Sequence, residues 1–176
     1  MPFIESGRLG AEVSLDYEIH KNFYPVIEAG WQKTDTHSEE FNYRSDGSYG
    51  RIGLDYNIFK RNPKQKYDMV FPGLRFGYSK STQGGDGVIV NYWGNYKYNL
   101  PEFDVTAYWL EFAGGMKVEI IKNIFIGWSG RARFMLNHTD TDIMDSYLIP
   151  GFGDSEKKVN LGINYSIFYR FPIVNE

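Results

Sequence analysis

The residues that constrain this chain most are 160–171, N-L-G-I-N-Y-S-I-F-Y-R-F. In an extended strand, successive side chains point to opposite faces. Leu161, Ile163, Tyr165, Ile167, Tyr169 and Phe171 then share one face, and Asn160, Gly162, Asn164, Ser166, Phe168 and Arg170 share the other. The first face is aromatic or aliphatic throughout. The second, Phe168 apart, is small, amide or charged. Such a strand fits a position with lipid on one side and a polar lumen on the other. It fits an amphipathic strand of a soluble sheet equally well, so the remaining chain must decide.

The same alternation recurs six times. Residues 9–19 set Leu9, Ala11, Val13, Leu15, Tyr17 and Ile19 against Glu12, Ser14, Asp16 and Glu18. Residues 23–33 set Phe23, Pro25, Ile27, Ala29 and Trp31 against Glu28, Gly30 and Gln32. Residues 49–59 set Ile52, Leu54, Tyr56 and Ile58 against Arg51, Gly53, Asp55 and Asn57. Residues 69–79 set Val70, Pro72, Leu74, Phe76 and Tyr78 against Phe71, Gly73, Arg75, Gly77 and Ser79. Residues 105–121 set Tyr108, Leu110, Phe112, Met116, Val118 and Ile120 against Glu111, Gly115, Lys117 and Glu119. Residues 124–136 set Ile126, Trp128, Ala132, Phe134 and Leu136 against Gly127, Ser129, Arg131 and Arg133. No segment carries a helix of three turns. Short connections alternate with long ones, at 34–47, 80–104 and 137–158, which read as loops. Short periplasmic turns and long extracellular loops are the habit of outer-membrane barrels.

A soluble binding barrel would keep its apolar face inside. Three features favour the inverse arrangement. The polar face carries glycines at 30, 53, 73, 77, 115, 127 and 162, which suit a crowded interior. That face also holds seven acids (Glu12, Asp16, Glu18, Glu28, Asp55, Glu111, Glu119) and six bases (Arg51, Arg75, Lys117, Arg131, Arg133, Arg170), close to cancelling. Five of these bases are Arg, the better bidentate partner for carboxylates. Finally, Tyr17, Phe23, Trp31, Tyr49, Tyr78, Tyr108, Trp109, Tyr169 and Phe171 sit near strand ends, as in an interfacial girdle. The expected fold is therefore all-β, a transmembrane antiparallel up-and-down barrel forming a single domain over residues 1–176. Its expected lumen network is Asp16, Glu28, Arg51, Asp55, Arg75, Glu111, Glu119, Arg131, Arg133 and Arg170.

Composition agrees. The mean hydropathy of -0.44 and the lack of an 18-residue apolar run leave no membrane-spanning helix, but a barrel needs none. A net charge of -3 without a strongly basic stretch gives no footprint for nucleic acid. With no cysteine, neither disulfide nor thiolate chemistry is available. Residues 1–10 lack a basic segment followed by an apolar core, so an exported form would begin after a removed leader. Seven strands are an odd number for a single-chain bacterial barrel. The first segment leads into a short turn and so runs toward the periplasm. An eighth, upward strand is therefore expected ahead of residue 1.

Residues 160–171 also resemble the closing strand of bacterial outer-membrane proteins, with Asn160, Gly162, Tyr165 and Ile167 in the recurring places. Further stretches carry a resemblance over essentially the whole chain: A-E-V-S-L-D-Y-E-I at 11–19, Y-G-R-I-G-L-D-Y-N at 49–57 and G-L-R-F-G-Y-S at 73–79. They continue with Y-W-G at 92–94, K-N-I-F-I-G-W-S-G-R-A-R-F at 122–134, I-P-G-F-G at 149–153 and N-Y-S-I-F-Y-R at 164–170. Together these resemble a family of small outer-membrane barrels of Bacteroides-type bacteria, catalogued as a domain of unknown function. The resemblance implies eight strands, a cleaved leader and no established reaction. It supplies no catalytic residue.

The residues themselves offer little chemistry. His20 falls in a tight turn, and His37 and His138 in loops, none at a readable spacing from a Ser nucleophile. Asp140, Asp142 and Asp145 could offer carboxylates to calcium, but the glycine and terminal glutamate of a helix-loop-helix calcium loop are absent. No enzyme, cofactor or metal site is expected. Two apolar stretches in the loops stand out, and Tyr92, Trp93, Tyr147, Ile149, Pro150 and Phe152 are the candidate contact residues. Apolar loops in water should be covered, by each other across the barrel mouth, by a partner protein, or by a glycan. The expected function is a non-enzymatic subunit of a larger outer-membrane complex in a Gram-negative bacterium, touching outer-membrane lipid and other membrane or surface proteins. Family context, not any residue, points to outer-membrane protein assembly or export machinery. The alternatives are a lipid-modifying enzyme and a small channel.

Overall fold

The structure is a computed structural model, and it describes residues 7–37, 41–59, 67–91, 94–139 and 148–171. Its strands in chain order are β1 (Arg8–Asp16), β2 (Phe23–His37), β3 (Phe41–Tyr56), β4 (Met69–Asn91), β5 (Gly94–Ile121), β6 (Ile124–His138), β7 (Leu148–Ile149), β8 (Gly153–Asp154) and β9 (Val159–Tyr169). Among the described residues there is no helix. Seven strands form one antiparallel sheet in the order β1-β2-β3-β4-β5-β6-β9, and β7 and β8 form a separate small hairpin.

The period-two pattern fixes the register. Leu15, Ile27, Ile52, Phe76, Leu110, Phe134 and Val159 pair in one continuous row across all seven strands. A slip of one residue would turn a whole strand's apolar set to the wrong face. The sheet is strongly curled. Flat, β2 and β6 would lie roughly 19 Å apart, at about 4.8 Å per strand. Arg131 of β6 nevertheless reaches Glu28 of β2 at 2.8 Å. The concave face thus curls around its charges and buries them, while the apolar row lies on the convex face. Leu54, Leu74, Ile126 and Ile163 are exposed there, whereas Arg51, Arg75, Glu111 and Arg131 are buried within.

Two tight turns use the same device. Asn22 and Asn123 adopt φ of 70° and 68°, which an asparagine tolerates better than most residues. In each turn the glutamate four residues back accepts the asparagine N–H, Glu18 at 3.1 Å and Glu119 at 2.8 Å.

Of the long segments expected to be loops, 34–47 and 80–104 are largely strand, whereas the described part of 137–158 holds only the end of β6 and the short β7 and β8. β2 continues to His37, β3 begins at Phe41, and β4 and β5 extend to Asn91 and from Gly94. Beyond Trp31 and Tyr78 the convex face turns polar, as in the row Lys33, Asp46, Thr82, Asp104. The apolar-polar contrast fades there, but the backbone ladder continues. Only the hydropathy signal ended. At the other end, β1 stops at Asp16, short of residue 19. An eighth strand is not found: among the described residues nothing pairs with the outer edge of β1 or of β9.

Candidate functional site

The concave face holds a layer of interlocked charges. At its centre Glu28, 2% exposed, accepts from Arg51 Nη1 at 2.6 Å, Arg75 Nε at 3.2 Å, and Arg131 Nη1 and Nη2 at 2.8 and 3.0 Å. Glu111, fully buried, accepts from Arg131 Nη1 at 3.1 Å and Arg133 Nε at 3.0 Å, with Arg51 Nε at 3.5 Å. Asp55 takes Arg75 Nη2 at 3.1 Å. Glu12 closes the β1 side, accepting from Arg51 Nη1 at 3.1 Å and the Tyr49 hydroxyl at 2.7 Å.

A second tier lies nearer the tight turns. Lys117 pairs with Asp16, and its ammonium sits 4.4 Å from the Phe168 ring centroid and 5.5 Å from that of Phe71. Five cations (Arg51, Arg75, Arg131, Arg133, Lys117) therefore meet five anions (Glu12, Asp16, Glu28, Asp55, Glu111). Burying charge is costly unless each group is paired and hydrogen-bonded. Here Glu28, Glu111, Arg51 and Arg131 each have several partners, while Asp55 Oδ1 and Arg75 Nη1 make no hydrogen bond, and the layer forms a buried polar core.

Two members of the expected network, Glu119 and Arg170, stand outside the layer, and two residues not named in it, Glu12 and Lys117, belong to it. Asp16 joins through Lys117. Glu119 takes no part: it clamps the turn at Asn123, and its backbone N–H donates to Asp68 at 3.0 Å. Arg170 instead lies over the Tyr67 ring, 3.4 Å from the centroid. Glu12 belongs to the layer through Arg51 and Tyr49. Alternation assigns a face but no height along it. Glu119 shares Glu111's face yet lies eight residues further on, about 27 Å along a strand.

Above the layer the hairpin β7–β8 fills the mouth. Ile149 and Phe152 are 1% and 0% exposed, and Pro150 is buried beside them. They pack on Ala107 and Trp109, with Tyr49 and Met135 alongside. The Trp109 and Phe152 rings tilt together at 5.9 Å between centroids. Wall side chains grip the hairpin's backbone: Gln83 donates to the Leu148 carbonyl at 2.8 Å, Arg51 to Gly151 at 3.3 Å and Arg133 to Phe152 at 3.1 Å. Gly151 has φ of 76° and lies against the Tyr49 ring, where a side chain would be both strained and obstructed. Ile149, Pro150 and Phe152 are thus covered by the protein's own mouth. Tyr92, Trp93 and Tyr147 lie outside the described residues, as do Asp140, Asp142 and Asp145.

Two residues expected in the aromatic girdle are part of this seat. Tyr49 and Trp109 share the parity of Arg51 and Glu111, so both face the concave side. Their odd numbers carried that signal, and proximity to strand ends masked it. Trp109 fits only because Gly77 opposite has no side chain: a Cβ there would overlap the indole ring. Gln83 had no such signal, since it lies in a stretch that reads as loop.

Among the described residues no group of three or more His, Asp or Glu side chains is arranged to hold a metal ion. No curated protein and no solved structure matches the chain. The sequence model of one family matches residues 1–176, its full length, and the chain therefore belongs to the family described as a domain of unknown function, DUF6048.

Proposed function

We propose that this protein is a non-enzymatic outer-membrane barrel of a Gram-negative bacterium, closed by an eighth strand ahead of residue 1, and that it serves as a subunit of a larger envelope complex. One observation carries the membrane part: the sheet is inside out for water. Large hydrophobics such as Leu15, Ile27, Ile52 and Ile163 are 61–68% exposed on the convex face, while five cations and five anions are gathered on the concave one. A contiguous apolar surface of this kind needs a covering. On β4 the apolar run from Val70 to Tyr78 covers roughly 20 Å of height at a typical strand tilt, near the ~25 Å band of outer-membrane barrels.

The subunit role follows from what the interior can do. Among the described residues the central carboxylates are each paired with a guanidinium or ammonium group beneath a seated hairpin, which favours a structural role over a channel or an enzyme. A scaffold that presents its lipid-facing wall and its tall β2–β5 rim to other membrane or surface proteins is the role that remains. Outer-membrane protein assembly or export machinery is the setting we propose for that complex.

The test is expression from the complete gene, membrane fractionation, and mass spectrometry of proteins retained through a mild-detergent purification. Recovery in the outer-membrane fraction with a reproducible set of stoichiometric partners is expected. Recovery as a water-soluble protein would refute the membrane reading. Turnover of lipid, or steady ion conductance in a planar bilayer, would refute the subunit reading in favour of an enzyme or a channel.

A further inference from the structure

We propose that the β7–β8 hairpin is a latch, which leaves the mouth as one body while the seven-stranded sheet and its charge layer stay folded. The proposal goes beyond the subunit reading and does not rest on it.

The hairpin carries its own shape. Ile149, Pro150, Gly151 and Phe152 form a Pro-Gly turn. The Phe152 N–H donates to the Ile149 carbonyl at 3.1 Å, Pro150 presets the second position, and Gly151 supplies the positive φ of the third. Leu148 and Ile149 pair with Asp154 and Gly153 in a sheet of their own. At the foot, Asp154 is held by its near neighbours in sequence. Its carbonyl accepts from Asn160 Nδ2 at 2.7 Å, and its carboxylate takes the Glu156 N–H at 3.1 Å and Lys157 Nζ at 2.9 Å. None of these bonds involves the mouth, so the hairpin has a fixed foot about which to swing.

Side chains hold the rest of it down. Among the described residues no backbone hydrogen bond joins 148–154 to the seven-stranded sheet. Gln83, Arg51 and Arg133 each donate to one hairpin carbonyl, and Ile149 and Phe152 pack on Ala107 and Trp109. When these carbonyls leave, Arg51 keeps Glu12 and Glu28, and Arg133 keeps Glu111. The charge layer therefore survives the opening.

The closed seat is also imperfectly matched. Trp109 Nε1, Ser79 Oγ and Ser155 Oγ are buried without a hydrogen-bond partner. Trp109 lies against the Phe152 ring, Ser79 stands between Tyr49 and Ala107 in the seat wall, and Ser155 follows the hairpin's last residue. A buried polar atom without a partner favours the state in which it reaches water. Few anchoring contacts and unpaired polar groups place a segment at the low-stability end of a fold.

Two single-cysteine proteins, expressed from the complete gene, test the latch, because the chain has no cysteine of its own. Ala107→Cys lies fully buried beneath the hairpin, and Ala113→Cys is buried in the charge layer opposite Arg131. Under native conditions position 107 should react with N-ethylmaleimide at least about tenfold faster than position 113, as local opening requires. Adding Ser79→Ala, which removes an unpaired hydroxyl from the seat, should slow the reaction at 107 severalfold. Adding Phe152→Ala should speed it, and neither change should alter the reaction at 113. In the unsubstituted protein, the amides paired within 148–154 should exchange at one common rate, faster than the amides of β5 around Trp109. Equal reaction at the two cysteines, reaction at 107 only once urea unfolds the sheet, no slowing by Ser79→Ala, or hairpin amides as slow as those of β5 would each overturn the latch. The exchange measurement decides the matter even if a cysteine variant fails to fold.

Discussion

Replacing Glu28 by Gln isolates the electrostatics of the buried layer, because the two side chains have nearly the same shape. Glu28 accepts four N–H bonds from three arginines. The amide keeps one acceptor oxygen and turns an NH₂ group toward guanidinium groups that offer only donors. The layer changes from five cations and five anions to five and four. Removing one partner of a buried ion pair costs about 3–5 kcal/mol, a roughly 100- to 4,000-fold fall in the folding equilibrium at about 1.4 kcal/mol per tenfold. Glu12→Gln is the comparison. That carboxylate accepts from one arginine and the Tyr49 hydroxyl rather than from three arginines, so a smaller loss is expected. Reversible urea unfolding in detergent micelles, followed by the four tryptophans or by circular dichroism, measures both. Adding Arg131→Gln to Glu28→Gln restores the balance and should recover part of the loss, with a coupling of about 0.5–3 kcal/mol. If Glu28→Gln falls within about 1 kcal/mol of the unsubstituted protein, or below Glu12→Gln, the layer is not the charge-balanced core described here.

Three other substitutions probe separate parts. Leu74→Arg on the convex face should cost about 2–4 kcal/mol in a bilayer; a change within about 0.5 kcal/mol would mean that this face meets water. Phe152→Ala should leave the seven-stranded sheet folded but speed hydrogen exchange across 148–155 and red-shift the Trp109 emission, at a local cost of about 3–5 kcal/mol. Unchanged exchange in that hairpin would show that Phe152 does not seat it. Gly77→Ala should displace the Trp109 indole and destabilise by about 1–3 kcal/mol, and near-UV circular dichroism identical to the parent would refute the close packing assigned to that pair.

The sequence by itself determined the amphipathic spans of the seven sheet strands, their antiparallel order and their faces. Period-two alternation is a local property, and a row such as Leu15, Ile27, Ile52, Phe76, Leu110, Phe134 and Val159 is its direct product. It also carried the near balance of acids and bases and the parity that turns Tyr49 and Trp109 inward. What it lacked was height and distance. Glu119 and Arg170 have the right parity but stand at the turn end, so one clamps Asn123 and the other covers Tyr67. The continuation of β4 and β5 was hidden because backbone hydrogen bonds outlast the apolar pattern once both faces meet polar surroundings. Only the curl of the sheet decided which charges meet: it brings Arg131 to Glu28 across 103 residues of chain. The seating of Ile149 and Phe152 was likewise a tertiary decision, since their pocket is assembled from β3, β5 and β6 together. Burial follows from where strands come to lie in space, and no local periodicity encodes that.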